Sequence, residues 1–289
     1  MERWRRPPDA SYPVQIVFAV QDTLQRLLSA PSHSRRAEAA RRQARRSLML
    51  FAGAAVVVMV LMIMVDAATI QLMPPRGTPS LWPFRILTDF GKSSYVLWAL
   101  AAAMLAALLV LPLLRKRARA VMAAFGDRVL FLFLAVAFPV LVGDVLKGLI
   151  GRGRPFVGGH ANPFNFSPLA FTEKYASFPS GHAITSAALA FAVAAVWPRT
   201  RWWMVGYVIA ILLSRLVLLA HHPSDVVGGA LVGVLGAMVV QYWFAARHQV
   251  FIITADGTVR PRRGPSLGDL KKVARSGFAP YEAQSAKRD

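Results

Sequence analysis

The chain has 289 residues, 55% of them hydrophobic, and a formal net charge of +20. It has no cysteine, which excludes disulfides, thiolate metal sites and cysteine nucleophiles. Charge of this size suits nucleic acid or an anionic membrane surface, and its clustering beside long apolar runs favours the membrane and argues against nucleic acid.

Residues 1–46 are polar and Arg-rich. Val14, Val17, Val20, Leu24, Leu27 and Leu28 recur there at helical spacing. Two readings stand side by side: an amphipathic helix on the membrane surface, or a loosely ordered tail. The segment lacks an uninterrupted apolar core next to a small-residue cleavage site, so span 1 is expected to act as an uncleaved anchor. Residues 35–46 form a basic collar.

About 20 apolar residues cross a ~30 Å hydrocarbon core, and six such runs follow, at 47–68, 95–114, 129–150, 179–197, 203–220 and 225–245. The expected fold is therefore all-α, a polytopic bundle of six transmembrane helices spanning 47–245. Segment 74–94 reads as an aromatic connection, and 115–128 as a densely basic one. The long connection 151–178 is a candidate functional loop. The tail 246–289 is basic, with a hairpin expected around Asp256-Gly257.

Of the 34 Lys and Arg residues, 26 fall on the side of both ends and the connections at 115–128 and 198–202; the other side holds 8. The positive-inside rule makes the first side, with both termini, cytoplasmic.

Three polar clusters interrupt the apolar pattern: KGLIGRGRP at 147–155, PSGH at 179–182 and SRLVLLAHHPSD at 214–225. Ionisable groups at the edge of a span are expensive and functional by default. All three clusters lie on the non-cytoplasmic side. Lys147, Arg154 and Arg215 supply cations that suit phosphate. Pro179 suits a helix start, whose free amides bind anions, and Gly181 lets a ligand approach closely. His182 would sit beside that anion. His221 and Asp225, four apart, suit an imidazole oriented by a carboxylate and free to attack at its other nitrogen.

K-x6-RP, PSGH and SR-x5-H-x3-D resemble, in order and spacing, the three signature motifs of the type 2 phosphatidic acid phosphatase (lipid phosphate phosphatase) superfamily, whose active site is shared with vanadium haloperoxidases. The resemblance covers about 47–245. It implies that His221 forms a phosphohistidine, that Asp225 orients it and that His182 protonates the leaving oxygen. It implies that Lys147, Arg154, Ser180, Gly181 and Arg215 hold the phosphate oxygens, with no metal or other cofactor. No carboxylate cluster for Mg²⁺ and no zinc-type motif lies near these residues.

The expected activity is hydrolysis of a lipid phosphate or diphosphate taken from the outer leaflet, in a bacterial inner membrane with the site facing the periplasm. A lipid phosphotransferase, a haloperoxidase and a non-catalytic phosphate-lipid binder or transporter remain as alternatives. The sequence names no lipid; selectivity is expected to reside in 74–94 and 156–178. Asp144 is read as an ion-pair partner of Lys147. Arg152 is read as either a further phosphate contact or a solvated side chain, and His222 as structural. His33, His160 and His248 are read as surface residues. Gly228, Gly229, Gly233 and Gly236 are read as a close-packing face within the bundle.

Overall fold

The computed structural model describes residues 11–276. In chain order these form α1 (Tyr12–Leu28), α2 (Arg36–Met64), α3 (Asp66–Leu72), α4 (Trp82–Asp89), α5 (Ser93–Val110) and α6 (Lys116–Ile150). Then come α7 (Gly181–Val196), α8 (Arg201–Val217), α9 (Pro223–Ala246), a hairpin of β1 (Phe251–Ile253) and β2 (Val259–Pro261), and α10 (Leu267–Ser276). The fold is an all-α membrane bundle. Among the described residues, five helical segments, built on α2, α5, α6, α8 and α9, are long and apolar enough to cross a bilayer. The sixth apolar helix, α7, has 16 residues and is shorter.

Helix bounds depart furthest from the apolar runs at two basic stretches. The basic stretches before spans 1 and 3 are helix, because α2 begins at Arg36 and α6 at Lys116. An apolar run reports only the length lipid will accept, whereas a helix continues until its backbone bonds are interrupted. α6 stops at Gly151, whose left-handed φ of 58° ends the ladder, with its amide on the Lys147 carbonyl at 2.9 Å. α2 stops at Met64, and the chain restarts at Asp66 as α3, with the Asp66 side chain fully buried.

The centre of the bundle is α7 between α6 and α9. Phe131, Val136, Ala188, Ala192, Ala237 and Phe244 form its sealed core. Without a hydrophobic drive between helices in lipid, close approach depends on small residues. A Cβ on Gly229 or Gly233 of α9 would run into the Ser180 and Ile184 carbonyls of the α7 segment, so the two helices meet backbone to backbone. α2 lies at the rim, with none of its apolar window buried by protein.

The basic end is capped by the hairpin, which pairs Phe251 with Pro261 and Ile253 with Val259. Phe251 stacks edge-on against Phe131 at 4.7 Å. The segment from Tyr12 is helical, and Val14, Val17, Val20, Leu24 and Leu28 are exposed along it. His33 is buried, contrary to its reading as a surface residue. The chain between α1 and α2 folds over the end of α9, where the Ser32 and His33 amides donate to the Ala246 carbonyl at 3.1 Å, and the His33 ring stacks on His248 at 4.3 Å.

Candidate active site

The three polar clusters meet at the end of the bundle away from the hairpin. Lys147 lies in the last turn of α6, His182 in the first turn of α7, and Arg215 in the last turn of α8. Arg154 stands in the loop after α6, and His221 in the turn between α8 and α9. These five and Gly181 line one cavity of about 240 Å³. Lys92, Ser93 and Ser94 close it from the start of α5.

Each cation is braced. Lys147 Nζ is 2.7 Å from Asp144 Oδ1, the partner its spacing suggests. The same ammonium lies 3.0 Å from where a Cβ on Gly181 would stand, so the missing side chain lets it sit against the first turn of α7. Arg154 Nε donates to the Glu173 carbonyl at 3.0 Å, and its amide to the Lys174 carbonyl at 2.9 Å. Arg215 Nη1 donates to Thr88 Oγ1 of α4 at 2.8 Å. Lys92, absent from the three motifs, adds a fourth cation, 2.8 Å from Asp89. Thr88, Asp89 and Lys92 fall inside segment 74–94, which the sequence marks only as an aromatic connection where selectivity could reside.

Ser180 and Asp225 do not line the cavity. Ser180 is fully buried at the N-cap of α7, with its amide on the Asp225 carbonyl at 3.0 Å. Among the described residues its Oγ has no hydrogen-bond partner, and neither do His182 Nε2 and Arg215 Nε. Buried polar atoms left unpaired are costly and point to a function or a ligand. Two of these three belong to residues lining the cavity.

His221 is oriented differently from the expectation of a direct Asp225 contact. Its Nδ1 is 3.8 Å from Asp225 Oδ2, too long for a hydrogen bond, and 2.8 Å from the Ser177 backbone carbonyl. A carbonyl only accepts, so Nδ1 carries the proton and Nε2 keeps its lone pair. Burial pushes the His221 imidazole down to about 4, with Asp225 pulling the other way, so the ring is neutral at neutral pH.

Asp225 spends its oxygens elsewhere. Oδ2 accepts from Ser177 Oγ at 2.6 Å and from the His222 amide at 2.8 Å, and meets His222 Nδ1 at 3.1 Å. Oδ1 accepts from Arg152 Nη1 at 2.5 Å. Thus the carboxylate reaches His221 through Ser177, the residue that also offers the accepting carbonyl.

Arg152 is neither a phosphate contact nor solvated. It is 1% exposed and donates to Asp66 Oδ2 at 2.8 Å, to Ser224 Oγ at 2.6 Å, and to the Pro163 carbonyl at 2.9 and 3.0 Å. Asp66 in turn accepts from the Ser224 amide at 3.0 Å and from its Oγ at 2.5 Å. Asp66 escaped the sequence reading, although an acidic residue at the end of an apolar run is the kind of signal that could have found it. The spacing that singled out Arg154 left Arg152 open between a phosphate contact and a solvated side chain, and pointed to neither buried carboxylate.

The arrangement can bind a polyanion on fixed cations, present an unprotonated imidazole nitrogen to it, and supply a second imidazole for proton transfer. Among the described residues no group of three or more His, Cys, Asp or Glu side chains is placed to hold a metal ion.

Comparison with known proteins finds similar features elsewhere. Residues 128–249 match the PAP2 superfamily. The chain is 29% identical over 199 residues to a lipid A 1-phosphatase of Rhizobium johnstonii, covering 68% of this chain and 80% of the relative. A lipid A 1-phosphatase of Rhizobium etli is 29% identical over 202 residues, covering 68% and 84%. The bacitracin transport permease protein BcrC of Bacillus licheniformis is 31% identical over 123 residues, covering 42% and 58%. Among solved structures, the transmembrane PAP2 type phosphatidylglycerolphosphate phosphatase of Bacillus subtilis superposes with a TM-score of 0.48 at 20% identity, covering 68% of this chain and 94% of that one. The segment that matches the PAP2 superfamily, residues 128–249, carries all three motifs.

Proposed function

We propose that this membrane lipid phosphatase works through a covalent phosphohistidine on His221, without a metal ion, at the membrane face opposite its basic segments. The observation that carries the reading is the grouping of Lys147, Arg154, Arg215, His182 and His221 around one cavity.

In the first step the Nε2 lone pair of His221 attacks the terminal phosphorus, a P–N bond forms, and the bond from that phosphorus to its ester or bridging oxygen breaks. His182 gives a proton to that oxygen, which leaves as the alcohol, or as the lipid monophosphate when the substrate is a diphosphate. In the second step water attacks phosphorus, its proton passes to His182, and the P–N bond breaks to return His221 and inorganic phosphate. Lys147, Arg154 and Arg215 neutralise the phosphoryl oxygens throughout, and the first-turn amides of α7 from Gly181 onward face the same anion. Ser180 and Asp225 act from behind the cavity wall, Ser180 by fixing the start of α7 and Asp225 by fixing Ser177.

The distribution of 26 basic residues on one side against 8 on the other supports a cytoplasmic position for both ends and a cavity facing the periplasm of a bacterial inner membrane. Residues 47–245 then form the catalytic unit between two basic cytoplasmic segments. The substrate enters from the outer leaflet with its tails left in lipid. Because two relatives are lipid A 1-phosphatases, a glycosyl 1-phosphate of lipid A is the first substrate to test. Undecaprenyl diphosphate, phosphatidylglycerol phosphate and phosphatidic acid complete the panel.

The test is phosphate release by detergent-purified protein from this panel, with EDTA present, beside His221→Ala. Release that survives EDTA and vanishes in the variant supports the reading. A folded His221→Ala protein with near-normal turnover would overturn it.

A further inference from the structure

Behind the catalytic cavity lies a second set of charges that the motifs do not include. Asp66, Arg152 and Asp225 form a chain with side chains 0–1% exposed, linked at 2.8 Å and 2.5 Å. Burying three charges is expensive, and a buried ion pair by itself adds little stability over apolar packing. An arrangement of this kind therefore needs another reason. Arg152 alone would neutralise Asp225 and cancel its field at His221. Asp66, on the far side of the same guanidinium, restores a net charge of −1 to the group. Ser224 braces the Arg152–Asp66 link, accepting from Arg152 and donating to Asp66.

We propose that Arg152 and Asp66 are positioning residues for phosphoryl transfer. Arg152 fixes Asp225 so that Oδ2 meets Ser177 and His222, and Asp66 keeps a negative charge behind His221 to offset the positive imidazole that forms when its nitrogen bonds phosphorus. This rests on the phosphohistidine reading. Neither residue touches substrate, so substrate binding should survive their loss while the covalent step slows.

The test compares wild type, Asp66→Asn, Arg152→Lys, Arg152→Gln and His221→Ala as full-length protein, each checked for folding by its melting profile. With a lipid phosphate that turns over, kcat and single-turnover formation of the phosphoenzyme should fall roughly 10- to 100-fold in Asp66→Asn, the size expected when a supporting partner is removed. KM should stay within about threefold of wild type. Arg152→Lys should recover part of what Arg152→Gln loses. Where Asp66→Asn does not fold, Ser224→Ala, which removes the hydroxyl that Arg152 and Asp66 share without removing charge, must show a lower kcat at unchanged KM. Wild-type kcat in a folded Asp66→Asn or Ser224→Ala protein overturns the inference while leaving the phosphohistidine intact. Activity in His221→Ala would instead overturn the reading beneath it.

A separate observation lies at the opposite, basic end. A cavity of about 550 Å³, larger than the catalytic one, opens between α2, α7, α9 and the hairpin turn. Arg42, Arg46 and Arg201 stand around it, over a floor that includes Ala39, Phe191 and Met238. Gln43 of α2 donates to the Met238 carbonyl of α9 at 2.7 Å and pins the two helices beside it. Arg46 has no ion-pair or hydrogen-bond partner among the described residues, and Arg42 has only Asp256 at 3.7 Å. One turn beyond Arg46, Leu50 is exposed on the same face of α2. Cations at the mouth, an apolar floor and an adjoining lipid-facing wall match a phospholipid with an anionic headgroup.

We infer that this cavity holds the headgroup of an anionic phospholipid from the leaflet opposite the active site. Phosphatidylglycerol is the probe, because as a phosphodiester it is not a phosphatase substrate. Its binding to full-length protein, read by native mass spectrometry against phosphatidylcholine, is compared in wild type, in Arg42→Gln/Arg46→Gln/Arg201→Gln, and in Arg41→Gln/Arg45→Gln/Arg199→Gln, which removes equal charge from the same end. Loss of three contacts should weaken binding on the order of 100-fold in the first triple variant, and little in the second. Equal weakening in both would reduce the effect to net charge and overturn the site. Equal binding of phosphatidylcholine, or displacement of phosphatidylglycerol by soluble glycerol phosphate alone, would overturn the lipid assignment.

Discussion

His221 is oriented by Ser177, whose backbone carbonyl accepts from Nδ1 at 2.8 Å while its hydroxyl donates to Asp225 at 2.6 Å. One residue thereby couples the attacking ring to the buried carboxylate. Ser177→Ala keeps the carbonyl and removes the hydroxyl. The expected outcome is a protein less stable by about 1.5–3 kcal/mol, the worth of a hydrogen bond to a charged group. Its kcat should fall roughly 10-fold, far short of the complete loss expected for His221→Ala. Denaturant unfolding in detergent and steady-state kinetics read the two effects separately.

The pH dependence follows from burial. The His221 imidazole is pushed from 6.5 down to about 4. A nucleophile must be unprotonated, so a lowered pKa extends activity toward acid. As pH falls through 6.5 the ring stays neutral, and kcat/KM should drop only as pH falls through about 4. A profile measured with a soluble short-chain lipid phosphate checks this, and an acid limb centred near 6.5 would contradict it.

Thr88 braces Arg215 from α4, a helix outside the three motifs. Thr88→Val preserves shape and deletes the acceptor, which leaves a buried guanidinium nitrogen unpaired. The expected result is roughly a 10-fold fall in kcat/KM. Arg215→Ala should cost on the order of 100-fold or more, as loss of an oxyanion-type donor does.

Gly229 and Gly233 permit the contact between α7 and α9. Alanine at Gly233 meets the Ile184 carbonyl in mid-helix, and at Gly229 the Ser180 carbonyl beside the site. Each should destabilise by about 1–3 kcal/mol or more through overpacking. Only Gly229→Ala should also lower kcat in the folded fraction. Melting profiles with kinetics normalised to folded protein distinguish the two.

Much of the fold was legible because lipid imposes a length on apolar runs. The apolar runs containing Ala183 to Ala192 and Val226 to Val240 announced α7 and α9 directly. Helix starts were not legible where charge continues a helix beyond the lipid, as at Arg36 and Lys116. Lys147, Arg154, His182, Arg215 and His221 were legible because ionisable groups beside apolar runs demand a reason, and all five do line one cavity. Thr88 and Ser177 carry no such signal, since hydroxyls are ordinary anywhere. Arg152, between two glycines, could be read only as a phosphate contact or a solvated side chain because its partners, Asp66 and Asp225, are 86 and 73 residues away. Pairing across that distance is a property of the fold.

The backbone contact between α7 and α9 has a mechanical consequence. His182 opens one of these helices and Asp225 lies in the first turn of the other, while Lys147 and Asp144 ride on α6 beside them. Ser180 and Asp225 are joined at 3.0 Å where the two helices begin. Thickening or thinning of the surrounding bilayer acts first on α2, none of whose apolar window is buried by protein. The reacting groups are mounted on a stiff inner frame, so changes in lipid composition should alter how substrate is delivered to the cavity while leaving the spacing of the reacting atoms fixed.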